Sequence, residues 1–436
     1  MSTDADPIAT TIRRHRAGEG GGLPSICSAH PTVLTAAARQ AVADGSVLLV
    51  EATSNQVDQF GGYTGMVPAD FRDLVARIAA GEGLPADRLV LGGDHLGPNR
   101  WQRDDPATAM TNAVDLVTAY VEAGYAKIHL DCSMPLAGEP TPLDDTTVAA
   151  RAARLLDAAE RAATGTALEG RIRYVIGTEV PVPGGASHAI DTLAPTPPDA
   201  ARATLAAHRE AFAAAGHADV WPRVMALVVQ PGVEFDALRV VDYDPAGTTA
   251  LQRVLDDEPD LVFEAHSTDY QLPESLAALV RNGWAVLKVG PGLTFALREA
   301  LFALSVVERE LVPEAERADL PGVIERRMLA EPGYWERYYP GTPDEQRIAR
   351  RYSWSDRLRY YWPDPAIAAA EERLLTNLER TGVPLPLLSQ VLPDQYRRVR
   401  RGELAADPRE LVIDKVRDAL RPYAAACRPH PNGAPS

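Results

Sequence analysis

The 436 residues include only three cysteines, Cys27, Cys132 and Cys427. They are too few for a disulfide framework and lack the paired spacing of a structural zinc site, so a reducing compartment is expected. No run of about 18 to 20 uninterrupted apolar residues occurs, and the polar first 22 residues, with Arg13, Arg14 and Arg16, hold no apolar signal core. A soluble, cytoplasmic protein without membrane contact is the expectation. Basic residues are outnumbered, 44 Lys and Arg against 60 Asp and Glu, and the net charge of -16 disfavours nucleic acid and anionic lipid as partners. No glycine-rich dinucleotide turn follows the first candidate strand, which runs into Pro24-Ser-Ile-Cys-Ser-Ala-His-Pro. No Gly-x-x-x-x-Gly-Lys-Ser/Thr loop is present either, which leaves phosphotransfer through such a loop unsupported.

What the chain does have is a 46% hydrophobic content arranged as short β-branched or Leu-rich runs alternating with Ala-rich stretches of helical period. Strands are expected at 23–27, 47–51, 88–93, 127–131, 173–178, 224–229, 261–265 and 285–289. Helices are expected at 31–44, 68–81, 107–123, 144–164, 198–215, 246–256, 273–282 and 294–305. Runs such as Val-Leu-Leu-Val and Met-Ala-Leu-Val-Val suit parallel strands buried on both faces. Eight βα units over residues 22–306 fit a (β/α)8 barrel, with a doubly wound sheet as the alternative. Residues 1–21 are expected to be a flexible N-terminal segment, 307–427 a helical extension packed on the barrel, and 428–436 a disordered tail. Within the extension, residues 351–363 concentrate Tyr, Trp and Arg, as buried anchors and anion contacts do.

Barrel ligands bind where strands run out into βα loops. Those positions are polar here: Cys27, Ser28 and His30; Glu51, Ser54 and Asn55; Asp94 and His95; Asp131 and Ser133; Glu179; Gln230; His266 and Asp269; Lys288. Burying so many carboxylates and imidazoles at one mouth costs several kcal/mol each in desolvation, which points to a site. His95 and His266 suit zinc, with manganese or another first-row ion as alternatives, and Glu179 can complete the coordination. Asp94 beside His95 is the expected base, while Asp131 and Glu179 ligate, orient an imidazole or take part in proton transfer. Glu51, Ser54, Asn55, Gln230, Asp269 and Lys288 are expected to meet substrate. Gly290 and Gly292, ahead of a helix, offer backbone N–H groups for a phosphate, with an ordinary turn as the alternative. Lys288 could form a Schiff base if its pKa is depressed, or stay charged beside a carboxylate such as Glu264 and hold an oxyanion.

Several segments resemble the Z subunits of class II D-tagatose-1,6-bisphosphate aldolase, the GatZ/KbaZ family. They are Glu51-Ala-Thr-Ser-Asn-Gln, Gln59-Phe-Gly-Gly-Tyr-Thr-Gly-Met, Gly92-Gly-Asp-His-Leu-Gly-Pro-Asn, Lys127-Ile-His-Leu-Asp-Cys-Ser-Met, Gly177-Thr-Glu-Val-Pro-Val-Pro-Gly-Gly, Val229-Gln-Pro-Gly-Val-Glu-Phe, Phe263-Glu-Ala-His-Ser-Thr-Asp-Tyr-Gln and Leu287-Lys-Val-Gly-Pro. The resemblance extends through residues 352–363 and most of the C-terminal region. It implies a class II aldolase type of barrel, ketohexose phosphate metabolism and a partner, the catalytic Y subunit. It also implies metal-dependent 4-epimerisation of ketohexoses or their 6-phosphates, an activity assigned to relatives. Set against true class II aldolases, Asp94-His95 looks like the base and first metal ligand and His266 like the last, while Gln230 stands where a middle histidine is expected. The resulting expectation is a metal-dependent C3–C4 retro-aldol site for a ketohexose or its phosphate. The alternatives are a non-catalytic subunit that stabilises and activates a class II aldolase and, third, a class I Schiff-base aldolase. A homo-oligomer is a further expectation.

Overall fold

The computed structural model describes residues 6–177 and 193–429. Eight parallel strands close into a barrel: β1 (Leu23–Ile26), β2 (Leu48–Thr53), β3 (Leu89–Leu96), β4 (Lys127–Leu130), β5 (Arg173–Ile176), β6 (Val224–Val228), β9 (Val262–Ala265) and β10 (Val286–Val289). Around the barrel the order is β1-β10-β9-β6-β5-β4-β3-β2, so each strand pairs with its predecessor and β1 pairs with β10. Two short strands, β7 (Glu234–Phe235) and β8 (Val240–Val241), form an antiparallel hairpin in the loop after β6. Helices α2 (Pro31–Asp44), α3 (Pro68–Gly81), α4 (Pro106–Glu122), α5 (Asp145–Ala163), α6 (Pro198–Ala214), α7 (Thr249–Gln252), α8 (Pro273–Arg281) and α9 (Pro291–Leu311) follow the barrel strands. Most open on proline, whose fixed φ and missing N–H suit the first helical turn. Each of the eight expected βα units is present, and the doubly wound alternative is excluded by closure.

The period-2 alternation of strand side chains divides the barrel into layers. Outward residues such as Ile26, Val50, Ile128 and Leu287 join the core beneath the helices. Inward residues Leu23, Leu49, Val90, Val175, Ala226, Val262 and Val286 form a separate apolar plug at the N-terminal end. Two positions further along, the inward residues become Ser25, Glu51, Glu264 and Lys288, all buried. The site is therefore built on a polar layer resting on an apolar one.

Three regions differ from the sequence expectation. Within the segment expected to be flexible, α1 (Pro7–Arg16) is a helix, and Ile8 (1% exposed) and Ile12 (4%) sit against the apolar plug. Asp6 caps it by accepting from Ala9 N and pairs with Arg173 at 2.6 Å. Among the described residues of α1, Ile8 and Ile12 are the ones that join this plug, and the hole they fill exists only once eight strands have closed. The helix expected at 246–256 breaks into two 3-10 turns flanking the four-residue α7, where Gly247, Thr248 and Thr249 supply poor helix formers. Helix α9 begins earlier than expected and runs unbroken past residue 306 to Leu311, so barrel and extension share a helix.

The extension comprises α10 (Leu320–Ala330), α11 (Pro343–Tyr352), α12 (Pro365–Thr381), α13 (Leu385–Val391), α14 (Pro393–Arg400) and α15 (Pro408–Ala426). Helix α15 packs across α2, α8 and α9, and at its end Cys427 O accepts from Gly22 N at the start of the barrel. Residues 430–436 of the expected tail lie outside the described residues. Among the described residues no helix is long and apolar enough to cross a membrane.

Candidate functional site

Strand alternation places Lys127, His129 and Asp131 on one face of β4 and its exit, and Glu264 and His266 likewise on β9. At the floor, Lys127 Nζ lies 2.7 Å from Glu51 Oε1 and 2.8 Å from Glu264 Oε2. Lys288 Nζ lies 2.7 Å from Glu51 Oε2, 2.9 Å from Asp94 Oδ1 and 3.6 Å from Glu264 Oε1. Ser25 Oγ donates to Glu51 Oε1 at 2.7 Å. Room for Glu51 comes from Gly92 on β3, where a Cβ would stand 2.7 Å from Glu51 Cγ.

Three imidazoles converge above this floor. Ring centroids are 5.2 Å apart for His95 and His129, 4.8 Å for His95 and His266, and 5.3 Å for His129 and His266. His129 Nδ1 is 3.0 Å from Asp94 Oδ1, and His266 Nε2 is 3.0 Å from Glu264 Oε1. His95 adopts a left-handed backbone (φ 49°) that turns its ring so that Nδ1 meets Asp131 Oδ2 at 2.8 Å. Asp131 is itself fixed by Asn99 Nδ2 at 2.7 Å and Ser133 Oγ at 2.6 Å. The chain can pass this close only because residue 97 is glycine: a Cβ there would sit 1.7 Å from Asp131 O.

These contacts set the charges. Burial alone would raise Asp94, yet His95 and Lys288 hold it well below the usual carboxylate range. Burial would likewise raise Glu264, and Lys127 and Lys288 overcome it. Burial works against the Lys288 ammonium, but Asp94, Glu51 and Glu264 keep it well above its ordinary value. For His95 the effect of burial is outweighed by Asp94 and Asp131, which raise it. Burial pushes His266 down to about 4, only partly opposed by Glu264, leaving a neutral imidazole with a lone pair.

The chemistry of the donor set fits a divalent ion. Asp94, His129, Glu264 and His266 each offer a ligand atom, all within 4.8 Å of one another and all buried. Among the described residues His129 Nε2 has no hydrogen-bond partner and is buried, the kind of orphaned atom a metal satisfies. Two imidazoles and two carboxylates are suitable for zinc or manganese. Of the residues expected to ligate, His266 is in this set. His95 stands beside it, with Nε2 3.8 Å from Asp94 Oδ2 and Nδ1 taken by Asp131. Glu179 lies outside the described residues. His129, Glu264 and Lys127 complete the site without having been singled out as ligands or floor. The signal for His129 and Lys127 was the alternation Lys-x-His-x-Asp ending at Asp131.

The remaining expected residues are divided by the fold. Asn55, Asp269, Lys288 and Gly290 line a cavity of about 80 Å³ with Asp94, His95 and His266, and Ser54 is buried after β2. Glu51 lies beneath the site, bound to both lysines. Gln230 holds its own loop, its Oε1 accepting from Gly232 N and Val233 N at 2.9 Å. The Gly290 loop does not present free donors: Gly290 N and Gly292 N donate to Asp269 Oδ1 at 2.9 and 2.7 Å. An internal carboxylate thus fills the position expected for a phosphate, as the positive end of α9 favours. Burial pushes this carboxyl up to about 6 against those N–H groups. A larger cavity of about 590 Å³ adjoins the first between α2, α12 and α15.

The D-tagatose-1,6-bisphosphate aldolase subunit GatZ/KbaZ-like family matches residues 8–428. A crystal structure of a probable tagatose 6 phosphate kinase from Sinorhizobium meliloti 1021 is 48% identical, with a TM-score of 0.86 over 93% of this chain and 100% of that one. Fructose-bisphosphate aldolase from Campylobacter jejuni is 14% identical with a TM-score of 0.44, covering 85% of this chain and 92% of its own. The YdjI aldolase from Escherichia coli K12 is 12% identical with a TM-score of 0.43, covering 86% and 97%. With a family match spanning nearly the whole sequence, barrel and extension alike, this chain belongs to the D-tagatose-1,6-bisphosphate aldolase subunit GatZ/KbaZ-like family.

Proposed function

We propose that the barrel mouth is a metal-dependent retro-aldol site that acts on the C3–C4 bond of a ketohexose or ketohexose phosphate. The observation that carries this reading is the buried Asp94, His129, Glu264 and His266 cluster, with its unpartnered His129 Nε2. When bound there, a divalent ion supplies Lewis-acid stabilisation of negative charge developing on substrate oxygens. Asp94 is the base. Its Oδ1 is engaged by His129 and Lys288, while Oδ2, met at 3.8 Å by the Cys27 thiol and by His95 Nε2, accepts the C4 hydroxyl proton, so that His129, Glu264 and His266 would hold the ion when Asp94 serves as base. Lys288, kept charged by three carboxylates, places a fixed positive charge against the developing oxyanion. His95, oriented by Asp131, gives a proton to the C4 oxygen on re-addition, and exchange with solvent then returns Asp94 and His95 to their starting states; on cleavage Asp94 returns its proton to C3 of the enediolate. Breaking C3–C4 gives an enediolate and an aldehyde. Re-addition to the other face of a retained aldehyde inverts C4, whereas its release is aldol cleavage. The same charged state removes Lys288 as a Schiff-base nucleophile.

A second reading is favoured by the family's description as an aldolase subunit. In it the chain supports a separate catalytic aldolase and its own mouth is a retained scaffold. NMR of the chain alone with fructose 6-phosphate, and separately with tagatose 1,6-bisphosphate, distinguishes the two. Zinc- or manganese-dependent C4 epimer or triose phosphates, abolished by EDTA, support the autonomous site. A folded, metal-loaded chain that turns over neither sugar supports the subunit reading. An undiminished His129→Ala, His266→Ala double variant refutes the proposed site.

A further inference from the structure

The cavity that touches Asp94, His95, His266 and Lys288 holds about 80 Å³, below the roughly 300–1,000 Å³ of sites that enclose small ligands. A six-carbon sugar must therefore extend beyond it. The adjoining chamber of about 590 Å³ is of the right size, and the two cavities share Cys27, Gln56, Tyr63, Gly290 and Arg359. Among the described residues, Arg359 is the one cation common to both walls. It comes from the 3-10 turn Arg357–Tyr360 of the extension, within the aromatic and basic run noted in the sequence.

The surroundings of Arg359 are unlike those of most arginines in this chain. Its guanidinium donates to the carbonyls of Ser355 and Asp356 and, at 3.0 Å, to Tyr360 Oη, and it lies 4.5 Å from the centre of the Tyr360 ring. No carboxylate of the described residues pairs with it, and the same is true of Arg357, stacked 3.6 Å from the centre of Tyr338 and 4.6 Å from that of Tyr360. Across the larger chamber Glu372 pairs with Arg409 at 2.7 Å, and Glu371 stands 3.7 Å from His30 Nε2, beyond hydrogen-bond distance. A partly buried guanidinium beside a cavity, with Asp356 and Asp269 only at longer range and no direct salt bridge to the described residues, is a ready partner for a phosphate monoester, whose oxygens match its planar fork. The alternative phosphate position, at the start of α9, is filled by Asp269.

We infer that Arg359 binds the phosphate of the sugar substrate, with Arg357 adding positive potential behind Tyr360, so that the C-terminal extension forms one wall of the binding site. This rests on the proposed reading for its sugar, but its test does not depend on turnover. Isothermal titration of the full chain with fructose 6-phosphate and with fructose compares affinities for wild type, Arg359→Met and Arg359→Lys. Wild type should prefer the phosphate ester by about tenfold or more, as charge-assisted hydrogen bonds provide. Arg359→Met should reduce that preference to about threefold or less while fructose binding stays within about twofold. Arg359→Lys, which keeps the charge but loses the fork, should lie between, and it carries the test if the Met variant fails to fold. A wild type without preference for the ester, or variants with unchanged preference, overturns the assignment. Tight Arg359-dependent binding without turnover would instead overturn the retro-aldol reading and leave the subsite standing.

Discussion

Lys127→Met removes the cation on which the floor of the site depends. Lys127 Nζ is fully buried, 2.7 Å from Glu51 and 2.8 Å from Glu264. At an effective dielectric of about 20, each contact corresponds to roughly 6 kcal/mol of attraction, most of it offset by the cost of burying the amine. The loss is therefore governed by what remains, two carboxylates sharing Lys288 with Asp94. Removing one partner of a buried ion pair costs about 3–5 kcal/mol, a large part of the roughly 5–15 kcal/mol that holds a domain folded. Urea unfolding followed by tryptophan fluorescence, in EDTA so that bound metal does not contribute, should show this loss. Glu51→Gln in the same background should recover part of it, with a coupling of about 1–3 kcal/mol, because it removes one of the stranded charges. A loss below about 1 kcal/mol, or strict additivity of the two changes, would refute the account of the floor as an interdependent ion network.

His129→Ala should weaken zinc binding by more than about 10–100-fold, the range lost when mere outer partners of a ligand are removed; competition with a chromophoric chelator measures it. Gly97→Ala should cost at least about 1–3 kcal/mol and disturb the His95 environment by NMR, since its Cβ would stand 1.7 Å from Asp131 O; an unshifted thermal transition would count against that close approach. Asp414, which joins α14 to α15, tests the extension. Burial raises its carboxyl, but Arg421 at 2.5 Å and Arg398 hold it below its ordinary value. A depressed folded pKa stabilises above the unfolded value of about 3.9 and is lost as pH falls through the folded one. Asp414→Asn should thus cost about 1–3 kcal/mol at neutral pH, and the gap to wild type should close progressively below about pH 4 in denaturant titrations.

The barrel was legible because closely spaced βα units leave a strong local signature: apolar runs of strand length, Ala-rich helical periods and proline at helix starts. That Asp94, His95, His266 and Lys288 gather at one mouth was legible because polar residues at strand exits are costly without a use. His129 was readable in principle, two residues before Asp131 on the same strand face, but an inward histidine one layer deeper than the loop is easily taken as core. Sequence order could not show that Asp269 fills the glycine loop after β10, nor that Gln230 turns back on its own backbone, since both depend on which N–H groups lie free in space. Nor could it show that α1 is ordered, because Ile8 and Ile12 become buried only against a plug assembled from eight distant strands. Periodicity and short-range propensity suffice for the eight-unit barrel, the helical extension and the polar character of the mouth. Which imidazoles and carboxylates meet, which lysine stays charged and how the extension brings Arg359 to the cavity emerge only on folding. Those outcomes are set by distances of a few ångströms between residues tens to hundreds of positions apart, where Coulomb and desolvation energies are settled by closure of the fold.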